Sequence, residues 1–230
     1  MNLKYIIDKI NIFGFGILVI LPVLFVIGTS IADLGISFLS LIFLLNLNKK
    51  NFNKYIINPY LISFFILCLY FIFLSLISDD PLFSLQSSLF YIRFIFFSLC
   101  VWLLIDKYFD YFKYFTYVLL FLYCSILFDS YFQYFVGFNI LGYEYNGIRL
   151  SGIFGDEYIL GSFLSRMMPI LFASCLLTFN KNDKFIYFLS FLLISTDVLI
   201  YISGERLAFF YITLITLLFI FLVSRWKLIR

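Results

Sequence analysis

Histidine is absent from the chain altogether. That removes the commonest general base and the commonest metal ligand, so proton transfer would have to rest on carboxylates. Cysteine is scarce. The four present, Cys68, Cys100, Cys124 and Cys175, all sit inside apolar runs and none has a partner at metal-ligand spacing. Thiols so placed behave as small hydrophobes, and no metal or cofactor is expected. No internal repeat, soluble domain or linker interrupts the 230 residues, which read as one transmembrane domain. Charge is sparse as well, with 16 basic against 13 acidic residues for a net +3, and its distribution says more than its total.

What fills the chain is apolar: 64% hydrophobic, 23% aromatic, mean hydropathy +1.06. A globule of this size keeps much of its surface in water and cannot hide so many apolar side chains in a soluble core. The composition therefore predicts a membrane protein. The opening MNLKYIIDKI puts Lys4 and Lys9 ahead of a long apolar run, but no small-residue cleavage site follows, so residues 12 to 31 read as a retained first helix. A spanning helix needs about 20 mostly apolar residues. Eight segments qualify: roughly 12 to 31, 34 to 48, 56 to 77, 82 to 105, 114 to 136, 157 to 179, 185 to 203 and 206 to 224. The expected fold is an all-α polytopic transmembrane bundle of about eight helices.

The loops alternate in charge. Lys4 and Lys9, then Lys49, Lys50 and Lys54, then Lys107 and Lys113, then Lys181 and Lys184, and the tail with Arg225, Lys227 and Arg230 form the basic set. By the positive-inside rule these are cytoplasmic, which places both termini inside. Asp33, the SDDP turn at 78 to 81, the segment 137 to 156 and SGER at 203 to 206 then lie outside. All ten lysines fall on the cytoplasmic side, whereas Arg93, Arg149, Arg166 and Arg206 do not. Either a few arginines fell this way by chance, or the outer side needs forked guanidinium groups that grip phosphate oxygens two at a time.

The most polar of the outer stretches is RLSGIFGDEYILGSFLSR, from Arg149 to Arg166. Its second half is expected to begin a helix, with Asp156 as N-cap and Glu157 as a first-turn acid, roles that stand beside a functional one. Gly152 and Gly155 permit tight turns, and Gly161 permits close approach of another helix. Arg166 would lie roughly 14 Å below that helix start and Arg93 roughly 16 Å below Leu82. Charges at such depth usually find a partner, and Asp129 and Asp197 are the expected ones. Arg149 and Arg206 sit at the interface beside helix N-termini, which together make a natural anion site. The plainer possibility is a solvated pair such as Arg206 with Glu205. An anion held there, with an apolar bundle beside it, suggests a lipid diphosphate.

RLSGIFGDEYILGSFLSRMMP followed, one helix later, by ISGERLAF resembles the bacterial O-antigen ligase and O-antigen polymerase family, with modest support from YIRF around Arg93. The likeness covers about half the chain, from the fourth expected helix to the eighth. It implies a multi-pass protein of the bacterial inner membrane that carries out metal-independent glycosyl transfer in cell-surface polysaccharide biosynthesis. The partners it implies are a polyprenyl-diphosphate-linked glycan donor, a lipid or glycan acceptor and membrane lipids, with no nucleic acid. Arg149 and Arg206 would hold the diphosphate, with Arg166 and Arg93 as further candidates, and Glu157, Glu205 or Asp156 would serve as the base. The family's ligases draw on a large periplasmic loop and a histidine beyond the part matched here, so the chain is expected to be an incomplete member or else a reduced one whose base would have to be one of those carboxylates. Two other readings stand beside this one. One is a transporter or flippase with a buried pathway of Arg93, Arg166, Asp129 and Asp197; the other is a scaffold whose charges only set topology.

Overall fold

The computed structural model of the chain describes residues 3–47, 51–56, 58–179 and 183–222. Lys49, Lys50, Lys181, Arg225, Lys227 and Arg230 of the basic loops and tail lie outside the described residues. Among the described residues the chain is predominantly helical, with no strand and one isolated bridge between Phe138 and Glu144.

Each of the eight apolar segments forms a helix. They are α1 (Leu3–Ile27), α2 (Thr29–Leu45), α3 (Pro59–Ile77), the pair α4 (Pro81–Phe90) and α5 (Ile92–Lys107), α6 (Phe112–Val136), α7 (Leu160–Phe179), α8 (Asp183–Ser203) and α9 (Arg206–Leu222). Pro81 takes the first-turn position of α4, where its missing N–H costs nothing. Five stretches are long and apolar enough to cross a bilayer: Tyr5–Ile27, Pro81–Lys107, Phe109–Val136, Leu160–Phe179 and Phe185–Ser203. Thr29–Leu45, Leu61–Ile77 and Arg206–Phe221 are apolar helices too, but shorter. Large side chains also stand outward in files, as Phe121, Phe128 and Phe135 do along α6. Such a surface is compatible with a multi-pass membrane protein.

The single bundle expected from the sequence resolves into two compact units, Met1–Phe112 and Lys113–Arg230. In the first, α2 buries Ala32, Gly35, Ile36, Leu39, Ser40, Ile42 and Phe43, a stripe at helical spacing. It meets Phe15 and Leu18 of α1 and Ile95, Leu99, Cys100, Leu103 and Leu104 of α5 in one core. Asn11 and Asn46 exchange amide hydrogen bonds at 3.0 and 2.7 Å. Lys54 pairs with Asp106 at 2.6 Å, and Lys107 pairs with Asp8. Arg93 closes a two-oxygen bond from Nη2 onto Asp33, at 2.8 and 2.7 Å. The ion pair expected of Arg93 is therefore present, but its partner is Asp33 rather than Asp129 or Asp197.

In the second unit α6 is tied to its neighbours by buried hydroxyls. Tyr123 is wholly enclosed and its hydroxyl lies 3.1 Å from Thr196 Oγ1 of α8 and 3.3 Å from the Leu164 carbonyl of α7. Tyr131 donates to the Ser195 carbonyl at 2.7 Å. The connection from α6 to α7 folds onto the end of this unit, and its buried polar groups decide where it sits. Asp129 is 2% exposed; its Oδ1 accepts the Ile140 N–H at 3.0 Å, and Oδ2 accepts Asn139 Nδ2 at 3.4 Å. Asn139 donates to the Gly152 carbonyl at 2.7 Å and accepts the Tyr143 N–H at 2.8 Å. Gln133 accepts the Gly152 N–H at 2.8 Å and donates to Ser151 Oγ and the Tyr143 carbonyl. Asp129 is thus occupied in anchoring this loop instead of pairing with an arginine. Asp197 accepts Thr216 Oγ1 of α9 at 3.3 Å.

Candidate functional site

The end of the second unit that carries the α6–α7 connection also carries the α8–α9 turn, residues Ser203 to Glu205. The two lie against one another. Gly204 turns with φ +75, a left-handed conformation costly for any residue bearing a Cβ. A Cβ there would also stand 3.5 Å from the Ile148 carbonyl and 3.7 Å from Arg149 Cγ. The turn therefore packs directly on the Arg149 side chain. Arg149, Tyr158, Gly204, Glu205, Arg206 and Leu207 line one open cleft of about 680 Å³.

Asn146 sets the geometry on the loop side. Its Oδ1 accepts the N–H groups of Ile148 and Arg149, both at 2.9 Å, closing a local turn. Its Nδ2 donates to the Tyr158 hydroxyl at 2.8 Å, and the Tyr158 ring carries the Arg149 guanidinium 5.9 Å from its centroid. Sequence reasoning passed over both Asn146 and Tyr158. An Asn two and three positions ahead of the amides it accepts is the local signal that would have found the first.

On the other side Glu205 ends two helices at once. Its carbonyl accepts the Phe209 N–H at 3.0 Å, which opens α9 with Arg206 as the first residue. Its carboxylate reaches the start of α7, where Oε1 accepts the Gly161 N–H at 2.5 Å and Oε2 accepts the Ser162 N–H at 2.9 Å and the Ser162 hydroxyl at 2.7 Å. These amides belong to the first turn, whose N–H groups have no partner within the helix. Gly161 admits the carboxylate, because a Cβ would lie 3.0 Å from both Glu205 Oε1 and Ser203 Oγ. The glycine expected to let a second helix approach admits a carboxylate and a serine from the turn between two helices instead.

This corrects the expected capping of α7. The helix begins at Leu160, not Glu157, and Asp156 and Glu157 stand exposed in the connection before it. The capping anion comes from 43 and 44 residues further along the chain. Arg166 then lies six residues into α7, about 9 Å from its start, on an exposed position with no ion pair or hydrogen bond among the described residues.

Of the sequence-predicted residues, Arg149, Arg206 and Glu205 come together in the cleft. Arg93 belongs to the first unit and is engaged with Asp33. The Arg206–Glu205 pair does not form among the described residues, since the Glu205 oxygens are turned to α7. Neither the Arg149 nor the Arg206 guanidinium has an ion pair or hydrogen bond among the described residues. The first turn of α9 holds no acidic residue either. Two forked cations beside an open helix N-terminus form a site suited to a polyoxygenated anion. Comparison with protein-family models, curated proteins and solved structures finds no match to this chain.

Proposed function

We propose that this chain is an O-antigen ligase- or polymerase-like protein of the bacterial inner membrane. It would bind a polyprenyl-diphosphate-linked glycan at the Arg149/Arg206 cleft on the periplasmic face and take part in its transfer to a lipid or glycan acceptor. The observation that carries this reading is the meeting of Arg149 and Arg206, both without an anionic partner among the described residues, in one open cleft beside the start of α9. A lipid diphosphate matches that surrounding, since its charge would rest on the guanidinium groups while its chain lies along apolar helices. The outward apolar faces of this unit supply such a path.

In the transfer, an acceptor hydroxyl attacks the anomeric carbon, the new C–O bond forms and the bond to the diphosphate breaks. The electron pair leaves on the diphosphate, and two guanidinium groups already in place stabilise the charge that develops there. The hydroxyl proton goes to a carboxylate, for which Glu157 and Asp156, exposed in the connection before α7, are the candidates, the Glu205 oxygens being engaged by α7. Of the four residues of the transporter or flippase reading, Asp129, Asp197 and Arg93 are each held by a near neighbour, while Arg166 is exposed and has no ion pair or hydrogen bond among the described residues.

Replacing both Arg149 and Arg206 with Lys keeps the charge and removes the fork. In the full-length protein, glycan transfer from a polyprenyl-diphosphate donor should fall by about 100-fold or more while membrane insertion is unchanged. Normal transfer by the double variant would rule out the diphosphate assignment. A topology reporter fused at Tyr145 should read periplasmic, and a cytoplasmic signal would undo the orientation on which the site depends.

A further inference from the structure

Glu205 lines the cleft with the two arginines, yet its carboxylate is bonded to the first turn of α7. We propose that Glu205 is a positioning residue: it latches the α8–α9 turn to α7, thereby setting Arg206 beside Arg149. The identity of the ligand rests on the diphosphate reading above; the latch itself does not.

Three features carry this. First, both carboxylate oxygens are engaged, by two backbone amides and one hydroxyl. Two of the three donors are helix amides, which cannot rotate away as a side-chain donor can, so the carboxylate is held in one place against α7. Second, the lever is short. The residue whose side chain caps α7 also accepts the first backbone bond of α9, and Arg206 follows it by one peptide. Movement of the carboxylate is thereby passed to the guanidinium. Third, the backbone has been cleared for the arrangement at two glycines. Gly161 leaves room for the carboxylate, and Gly204 turns left-handed against Arg149. A further consequence is electrostatic: with its neighbour's charge spent on α7, Arg206 keeps its own for a ligand.

The test uses the full chain in lipid nanodiscs, with farnesyl diphosphate as the probe. Hydrogen exchange is followed at Gly161 and Ser162. Glu205→Ala should speed exchange at both amides by about tenfold and weaken probe binding by about tenfold. Acetate, which replaces the atoms removed, should restore both. Gly161→Ala should produce the same two losses although it removes no acid or base. Ser162→Ala, the mildest change, should produce smaller ones and serves if Glu205→Ala does not fold. Exchange unchanged in these variants overturns the latch, and faster exchange with undiminished probe binding overturns its role in placing Arg206. If the wild-type chain does not bind the probe, the diphosphate reading fails, and the latch then stands or falls on exchange and its rescue by acetate.

Discussion

In the first unit Arg93 rests both carboxylate oxygens of Asp33 on one guanidinium nitrogen, 60 residues away in the chain. In the second, Arg149 and Arg206 line an open cleft with no carboxylate against either among the described residues, although Glu205 is the immediate neighbour of one of them. The same side chain thus serves as a fastener in one unit and lines an open cleft without an anionic partner among the described residues in the other. The cause is the competing donor set. Among the described residues Asp33 is bonded by the Arg93 guanidinium, while Glu205 is offered a helix N-terminus whose amides are fixed in place. An arginine is left unpaired where its neighbouring carboxylate has firmer donors elsewhere.

The sharpest way to break the contrast is to loosen the support of the second unit's loop. Asn139→Ala would leave the buried Gly152 carbonyl without its donor, take the acceptor from the part-buried Tyr143 N–H and remove one donor from Asp129. Unfolding in mixed micelles should show a loss of about 2–3 kcal/mol, with residues 137 to 159 more open to protease. An unchanged loop would mean the buried network does not hold it. A smaller effect is expected at the fastener. The Arg93 and Asp33 side chains are 28% and 46% exposed, so Asp33→Ala should cost about 1–2 kcal/mol, less than a fully buried pair. A double cycle with Arg93→Ala should recover most of that as coupling. The smallest effect belongs to the cleft. Arg149→Ala and Arg206→Ala should each change stability by less than about 0.5 kcal/mol while abolishing probe binding. A large stability loss at either would mean it is a fastener too.

Much of the helical layout was legible in the chain. Each of the eight apolar runs became a helix, because about 20 consecutive apolar residues leave the backbone no better way to satisfy its own N–H and C=O groups in a nonpolar setting. The pairing of Arg149 with Arg206 was also legible, as both flank apolar runs at what alternating loops make the same end. The caps were not. Asp156 and Glu157 sit where local rules put the start of α7, but the first turn is satisfied by Glu205, and α7 opens three residues later than expected. Nor did the sequence betray Asp33 as the partner of Arg93, or Gln133, Asn139 and Ser151 as the anchor of the loop. Each of those bonds joins residues brought together by packing, and no spacing rule reaches them.

From the sequence alone, then, came an all-helical chain with apolar helices fit for a bilayer and a short list of arginines worth attention. Both follow from local chemistry: hydrophobic length determines a helix, and the scarcity of charge makes each arginine conspicuous. Which arginines are spent and which are free was decided only in three dimensions. A carboxylate goes to whichever donors converge on it most firmly, and for Glu205 those donors are amides of a helix that begins 45 residues earlier, at Leu160.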